Sequence, residues 1–109
     1  MIKEQQQKGL KYDNGKDRWD LLPLDPIAQI VKVLTFGAIK YTDNSWQQVE
    51  NGIDRYYSAL MRHIHAWRSG EKNDQESGLS HLSHAFTNIM FIIWLEANGS
   101  IKKDKTKGN

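Results

Sequence analysis

The chain has 109 residues, 39% hydrophobic and 10% aromatic, enough for one globular domain with a modest core and too apolar for a disordered chain. It has no cysteine, which excludes disulfides and thiolate metal sites and suits a reducing compartment. Of the net charge of +2, residues 101–109, IKKDKTKGN, hold +3, with four lysines against one aspartate; the rest is near −1, so no nucleic-acid partner is expected. No apolar run opens the chain and none nears the roughly 18 residues of a membrane span, so no membrane association and a cytoplasmic location are expected.

In chain order, LDPIAQIVKVLTFGAIKY predicts a first helix, with Asp25 able to cap, Pro26 suited to the first helical position, and Ile27, Ile30, Val31 and Leu34 at helical spacing. Gly37 is expected to weaken or end it. SWQQVENG reads as a loop. From Ile53 to Trp67, the positions Ile53, Tyr56, Tyr57, Leu60, Ile64 and Trp67 predict a second helix. Its opposite face carries Arg55, Ser58, Arg62 and His65, with His63 near the border.

A third helix is predicted from about Gln75 to Ala97. Leu79, Leu82, Phe86, Ile89 and Ile93 form one apolar stripe, expected to pack into the core. His81, His84 and Asn88 line up on the other side with Ser77, and that side continues as Phe91, Ile92 and Leu95. A helix apolar nearly all round is interior or clamped between partners. Gly99 ends the fold. With no repeat and no strand-like alternation, the class is all-α. Three helices of this size enclose little core, so a bundle completed by a dimer or larger homo-oligomer is expected. Residues 1–100 are read as one domain with an N-terminal arm over 1–22, and 101–109 as a disordered lysine-rich tail.

The stretch GEKNDQESGLSHLSHAFTN, residues 70–88, puts Glu71, Asp74 and Glu76 just ahead of His81 and His84. Carboxylates with imidazoles suit a divalent cation or proton transfer. The plain alternative is that the acids cap a helix and complement its dipole. Two histidines at i, i+3 with Asn88 a turn on, on a doubly apolar helix, favour a site, because unpaired polar groups are costly to bury there.

KGLKYDNGKDRWDLLP joins Lys11, Lys16 and Arg18 to Tyr12 and Trp19, and FGAIKYTDNSW repeats the mixture with Lys40, Tyr41, Asn44 and Trp46. Cations match phosphates and aromatic faces match a base. The alternatives are an arm that packs Trp19 on the bundle, and a Trp46 that plugs the end of the core. Together with the acid and imidazole group this is a nucleotide's complement. A Walker loop, Gly-x-Ser-x-Gly, His-Glu-x-x-His and a His-Asp pair are all absent.

GLKYDNGKDRWDLLP, FGAIKYTDNSW and RHIHAWRSGEKNDQESGLSHLSHAFTN, in that order, resemble the small phage and prophage dATP/dGTP diphosphohydrolase domain proteins. These are loosely grouped with the MazG-like all-α nucleoside triphosphate pyrophosphohydrolases. The resemblance spans about residues 8–97. It implies Mg²⁺- or Mn²⁺-dependent hydrolysis of a purine deoxynucleoside triphosphate to monophosphate and pyrophosphate, in control of a phage nucleotide pool in the host cytoplasm. Glu71, Asp74 and Glu76 would be metal ligands or base, and His81 and His84 ligands or proton carriers. Lys16, Arg18 and Arg62 would meet phosphates, and Trp19, Tyr41, Trp46 and Asn88 would shape the base and sugar pocket; Lys40 and His63 are counted with them. One departure stands out. MazG-like enzymes place Glu-x-x-Glu and Glu-x-x-Asp on successive helices, where this chain has Arg62 and His63 and then His81-x-x-His84. The alternative is a protein of the same fold that captures a nucleotide, including a signalling nucleotide, without cleaving it.

Overall fold

The structure is a computed structural model that describes residues 15–101; residues 1–14 of the expected arm and 102–109 of the expected tail lie outside the described residues. Three α-helices carry the fold: α1 (Leu24–Lys40), α2 (Gly52–Arg68) and α3 (His81–Asn98). Short 3₁₀ turns form at Trp19–Leu21 and Ser45–Gln48. Among the described residues there is no strand, only an isolated bridge between Asn73 and Ser80, so the all-α class holds. No described helix is long and apolar enough to cross a membrane.

The helix ends depart from the expected ones for local reasons. Pro23, with extended backbone, occupies the N-cap of α1, so Asp25 sits in the first turn and meets the helix dipole instead of capping. Gly37 lies inside α1, which continues to Lys40; the cost of one helical glycine, about 1 kcal/mol, is outweighed by packing. The third helix begins at His81, not near Gln75. Ser80 caps it by accepting from the Leu82 N–H at 3.1 Å. Gly78, at φ +73°, and the Asp74 side chain, which accepts from the Ser77 N–H at 2.9 Å, hold the preceding residues in a turn. Trp46, expected in a loop, stands in the second 3₁₀ turn, entered through Asn44 in the left-handed region at φ 58°.

α3 is the central element, with α2 packed against it more extensively than α1. The face it buries is not the bulkier stripe. Leu82, Phe86, Ile89 and Ile93, expected in the core, are 41%, 46%, 44% and 61% exposed. His81, Ser83, Ala85, Thr87, Asn88 and Leu95 are buried instead. Small side chains let helix axes come close, and at Gly52 a Cβ would stand 2.8 Å from Leu95 Cδ1. Tyr57 and Trp67 of α2, also expected inside, are exposed. The only buried apolar side chains among the described residues are Ile30, Val33, Ala85 and Leu95. After α3, Gly99 takes φ 88° and the Ile101 carbonyl accepts from the Asn51 N–H at 2.6 Å, tying the chain end to the start of α2.

Candidate functional site

The end of α1, the turn after it, one face of α2, the 71–80 loop and the buried face of α3 enclose a cleft of about 1080 Å³. Lys40, Tyr41, Trp46, Arg62, His63, Asp74, Glu76, His84 and Asn88 all line it. Nine residues chosen from two of the three sequence motifs therefore converge. Glu71 and His81 reach this group from behind through a hydrogen-bonded chain. Lys16, Arg18 and Trp19 are not brought in: they are exposed, Trp19 by 78%, and Arg18 binds the Asp20 carboxylate through Nε at 3.2 Å and Nη2 at 2.7 Å.

Three imidazoles form the centre. The rings of His63 and His84 stack at 4.6 Å, nearly parallel at 8°. His63 Nδ1 and His81 Nδ1 are 2.8 Å apart, and His81 Nε2 lies 2.5 Å from Glu71 Oε1. A carboxylate only accepts, so the His81 proton belongs on Nε2, and its Nδ1 then accepts from His63. Burial pushes the His63 pKa down to about 4, and the neighbouring His84 and His81 add to the effect. Burial also lowers the His84 pKa, partly offset by the Asp74 charge. Stacked rings that both carried a proton would repel, and the neutral state removes that cost.

The 71–80 loop sorts the three acids to different partners. Glu71 serves His81. Glu76 accepts from Lys40 Nζ at 2.7 Å, which holds the lysine pKa up, and the same ammonium lies 5.1 Å from the Tyr41 ring centre. Asp74 lies beside the stacked pair, 3.9 Å from His84 Nε2. Its burial opposes ionisation, but the amide and hydroxyl of Ser77 and the charge of His84 outweigh this and keep its pKa low.

Ser77 Oγ is 2.6 Å from His84 Nε2, the distance of a nucleophile and its base. The arrangement is nevertheless unlike a catalytic triad. Asp74 Oδ2 stands 3.9 Å from the same Nε2, whereas a triad acid binds the opposite ring nitrogen. Ser77 Oγ also accepts from the Leu79 N–H at 3.1 Å, so it links the loop to α3.

The far wall is aromatic. Trp46 stacks on Phe91 at 4.4 Å and 18°, and meets Trp94 edge-on at 5.1 Å. Tyr56 donates its hydroxyl to the Trp46 carbonyl at 2.8 Å, and burial raises its pKa to about 12. Phe36, Arg55, Tyr56, Thr87 and Phe91 line the cleft but were missed from the sequence. The signal for two of them was spacing: Phe36 lies one turn before Lys40, and Arg55 seven residues before Arg62.

Among the described residues, one ligand atom from each of His63, Asp74 and His81 lies within 4.8 Å of the other two, a group able to hold a metal ion. The three loop acids do not form such a group with one another.

An all-α chain with an acid and imidazole cluster opening into a cation- and aromatic-lined cleft is thus the class that fold and site define. Residues 6–105 match the family described as dATP/dGTP diphosphohydrolase, N-terminal, and the chain belongs to that family. A curated relative, a dATP/dGTP diphosphohydrolase of Salmonella phage PMBT28, is 33% identical over 97 residues, or 89% of this chain. The chain spans about a third of that protein's length, 33%. No solved structure matches it.

Proposed function

We propose that this chain hydrolyses dATP or dGTP to the monophosphate and pyrophosphate, the activity suggested by its family and by the name of its phage relative. The observation that carries the reading is the single cleft in which Lys40, Arg55 and Arg62 share walls with the aromatic residues and the imidazole centre. The cations neutralise phosphate charge. Tyr41 and Asn88 bound the base and sugar, and Trp46, stacked on Phe91, braces the wall behind them. His84, kept neutral by burial, is able to take a proton from an attacking water. Lys16, Arg18 and Trp19 serve substrate here only if their arm is carried over the cleft of this chain or of a second copy. A divalent cation, Mg²⁺ or Mn²⁺ on family grounds, supplies Lewis-acid polarisation and a more acidic water when bound. Of the two, the donors present fit Mn²⁺, since two imidazoles join one carboxylate and His63 is neutral and Asp74 ionised.

The exposed stripe Leu82, Phe86, Ile89 and Ile93 recurs every three or four residues along one face of α3. With four buried apolar side chains among the described residues, it supports a homodimer in which the stripes of two copies meet across a two-fold axis.

A second reading rests on one observation: Glu71 and Glu76 are engaged by His81 and Lys40, which leaves no cage of free carboxylates. A pocket of cations and neutral donors suits capture of a nucleotide without cleavage. Incubating the protein with a nucleotide panel in Mg²⁺, in Mn²⁺ and in chelator, then chromatographing supernatant and denatured protein, separates the two. Monophosphate and pyrophosphate from dATP or dGTP support hydrolysis; an intact nucleotide released only on denaturation supports capture.

A further inference from the structure

We infer that the chain binds one first-row transition cation, of the Mn²⁺ to Zn²⁺ class and not Mg²⁺, through His63, Asp74 and His81, with Glu71 acting as the positioning residue for His81. The ion's role in turnover rests on the hydrolase reading; its binding does not.

Donor chemistry comes first. Two imidazoles and one carboxylate come within 4.8 Å of one another, from three different elements: α2, the loop and the first residue of α3. Mg²⁺ demands oxygen ligands and sheds water reluctantly, whereas imidazole suits the later, softer ions. A purely acidic loop set would have favoured Mg²⁺; the group the fold assembles does not.

Geometry agrees. Nitrogens bound about 2.1 Å from one ion in adjacent octahedral positions lie about 3 Å apart. The two Nδ1 atoms are separated by 2.8 Å. Without an ion, the His63 Nδ1 proton bridges them; to bind an ion, His63 would carry its proton on Nε2 instead, leaving both Nδ1 lone pairs to the metal.

Glu71 supplies an independent observation. Histidines that bind metals commonly donate their other ring N–H to a carboxylate, which fixes tautomer and ring orientation. His81 is 4% exposed and does this with Glu71 at 2.5 Å, so its Nδ1 lone pair faces His63. A helix cap alone would not need this arrangement: Ser80 already caps α3, and Glu71 contacts a side chain, not a backbone N–H. Asp74 is likewise preset, with its carboxylate held by the Ser77 N–H.

The test is equilibrium dialysis of the full chain against Mn²⁺, Co²⁺ or Mg²⁺ alone, with no nucleotide, followed by metal analysis and thermal unfolding. One Mn²⁺ or Co²⁺ per chain is expected, with Mg²⁺ at least tenfold weaker. His63→Gln and Asp74→Asn should each weaken Mn²⁺ binding tenfold or more. Glu71→Gln should keep the stoichiometry and lose about tenfold in affinity. Glu76→Gln should leave affinity unchanged. The inference is overturned if no stoichiometric ion binds, if Mg²⁺ matches Mn²⁺, or if Glu76→Gln costs as much as Asp74→Asn, which would put the ion among the loop acids. Turnover is assayed separately: hydrolysis without binding at these residues removes the site and keeps the activity, and binding without hydrolysis does the reverse.

Discussion

Trp46 is the residue on which the base-platform and core-plug readings part most sharply. One ring face is already taken by Phe91 at 4.4 Å and one contact by the edge of Trp94 at 5.1 Å. Each such pair contributes about 0.5–1.5 kcal/mol beyond area burial, so the two are worth about 2 kcal/mol. Burying most of the Trp46 side chain adds about 1–2 kcal/mol. Trp46→Ala is therefore expected to destabilise the fold by about 3 kcal/mol. At about 4–8 °C per kcal/mol for a domain of this size, melting falls by on the order of 15 °C. The Tyr56 hydrogen bond goes to the Trp46 backbone carbonyl and survives, and Trp46→Phe keeps the stack and should lose only about 1 kcal/mol. Thermal or urea unfolding reads stability, and dialysis against dATP or dGTP at 10 °C reads affinity of the folded variant. We expect a large loss of stability with affinity changed less than threefold. A melting temperature within about 3 °C of the parent, together with a tenfold loss of affinity, would refute the argument and make Trp46 the surface on which the base stacks.

Gly52→Ala sets the helix preference of alanine, up to about 1 kcal/mol, against a Cβ placed 2.8 Å from Leu95 Cδ1. Leu95 is 1% exposed and hemmed in, so overpacking of about 1–3 kcal/mol should win; a higher urea midpoint than the parent would show that Leu95 turns aside. Ile89→Glu, at a position 44% exposed, should convert the sedimenting species to monomer with helical circular dichroism intact, and a parent already monomeric at tens of micromolar would dispose of the interface. Tyr56 has its pKa raised by burial to about 12 from 10.0. The unfolded chain then loses its phenolic proton first, so stability is fully present below about pH 10 and declines as pH rises toward 12. Tyr56→Phe should remove that part of the slope in urea titrations across this range; an identical slope in both proteins contradicts the assignment.

Local pattern by itself determined the helical class, the span of α2 within a residue at each end, and the polar residues that line much of the cleft. Tyr56, Leu60 and Ile64 repeat at the period of a helix, and Lys40, Trp46, Arg62 and Asn88 are the kinds of side chain a nucleotide requires. Turn chemistry was harder to see. Asp74, Ser77 and Ser80 bond to nearby backbone N–H groups, and that competition moved the start of α3 to His81. Which side of α3 is inside was decided only by tertiary packing. Its bulky stripe is the more apolar of its two faces, yet close approach of α2 at Gly52 selected the small-residue one. The partners of the acids were also set by the fold. Sequence proximity grouped Glu71, Asp74 and Glu76 as one set, whereas the loop directs Glu71 to His81, Glu76 to Lys40 and Asp74 toward the imidazoles. Side-chain type is local and legible along the chain; which donor meets which acceptor depends on where three elements cross, and no single segment holds that information.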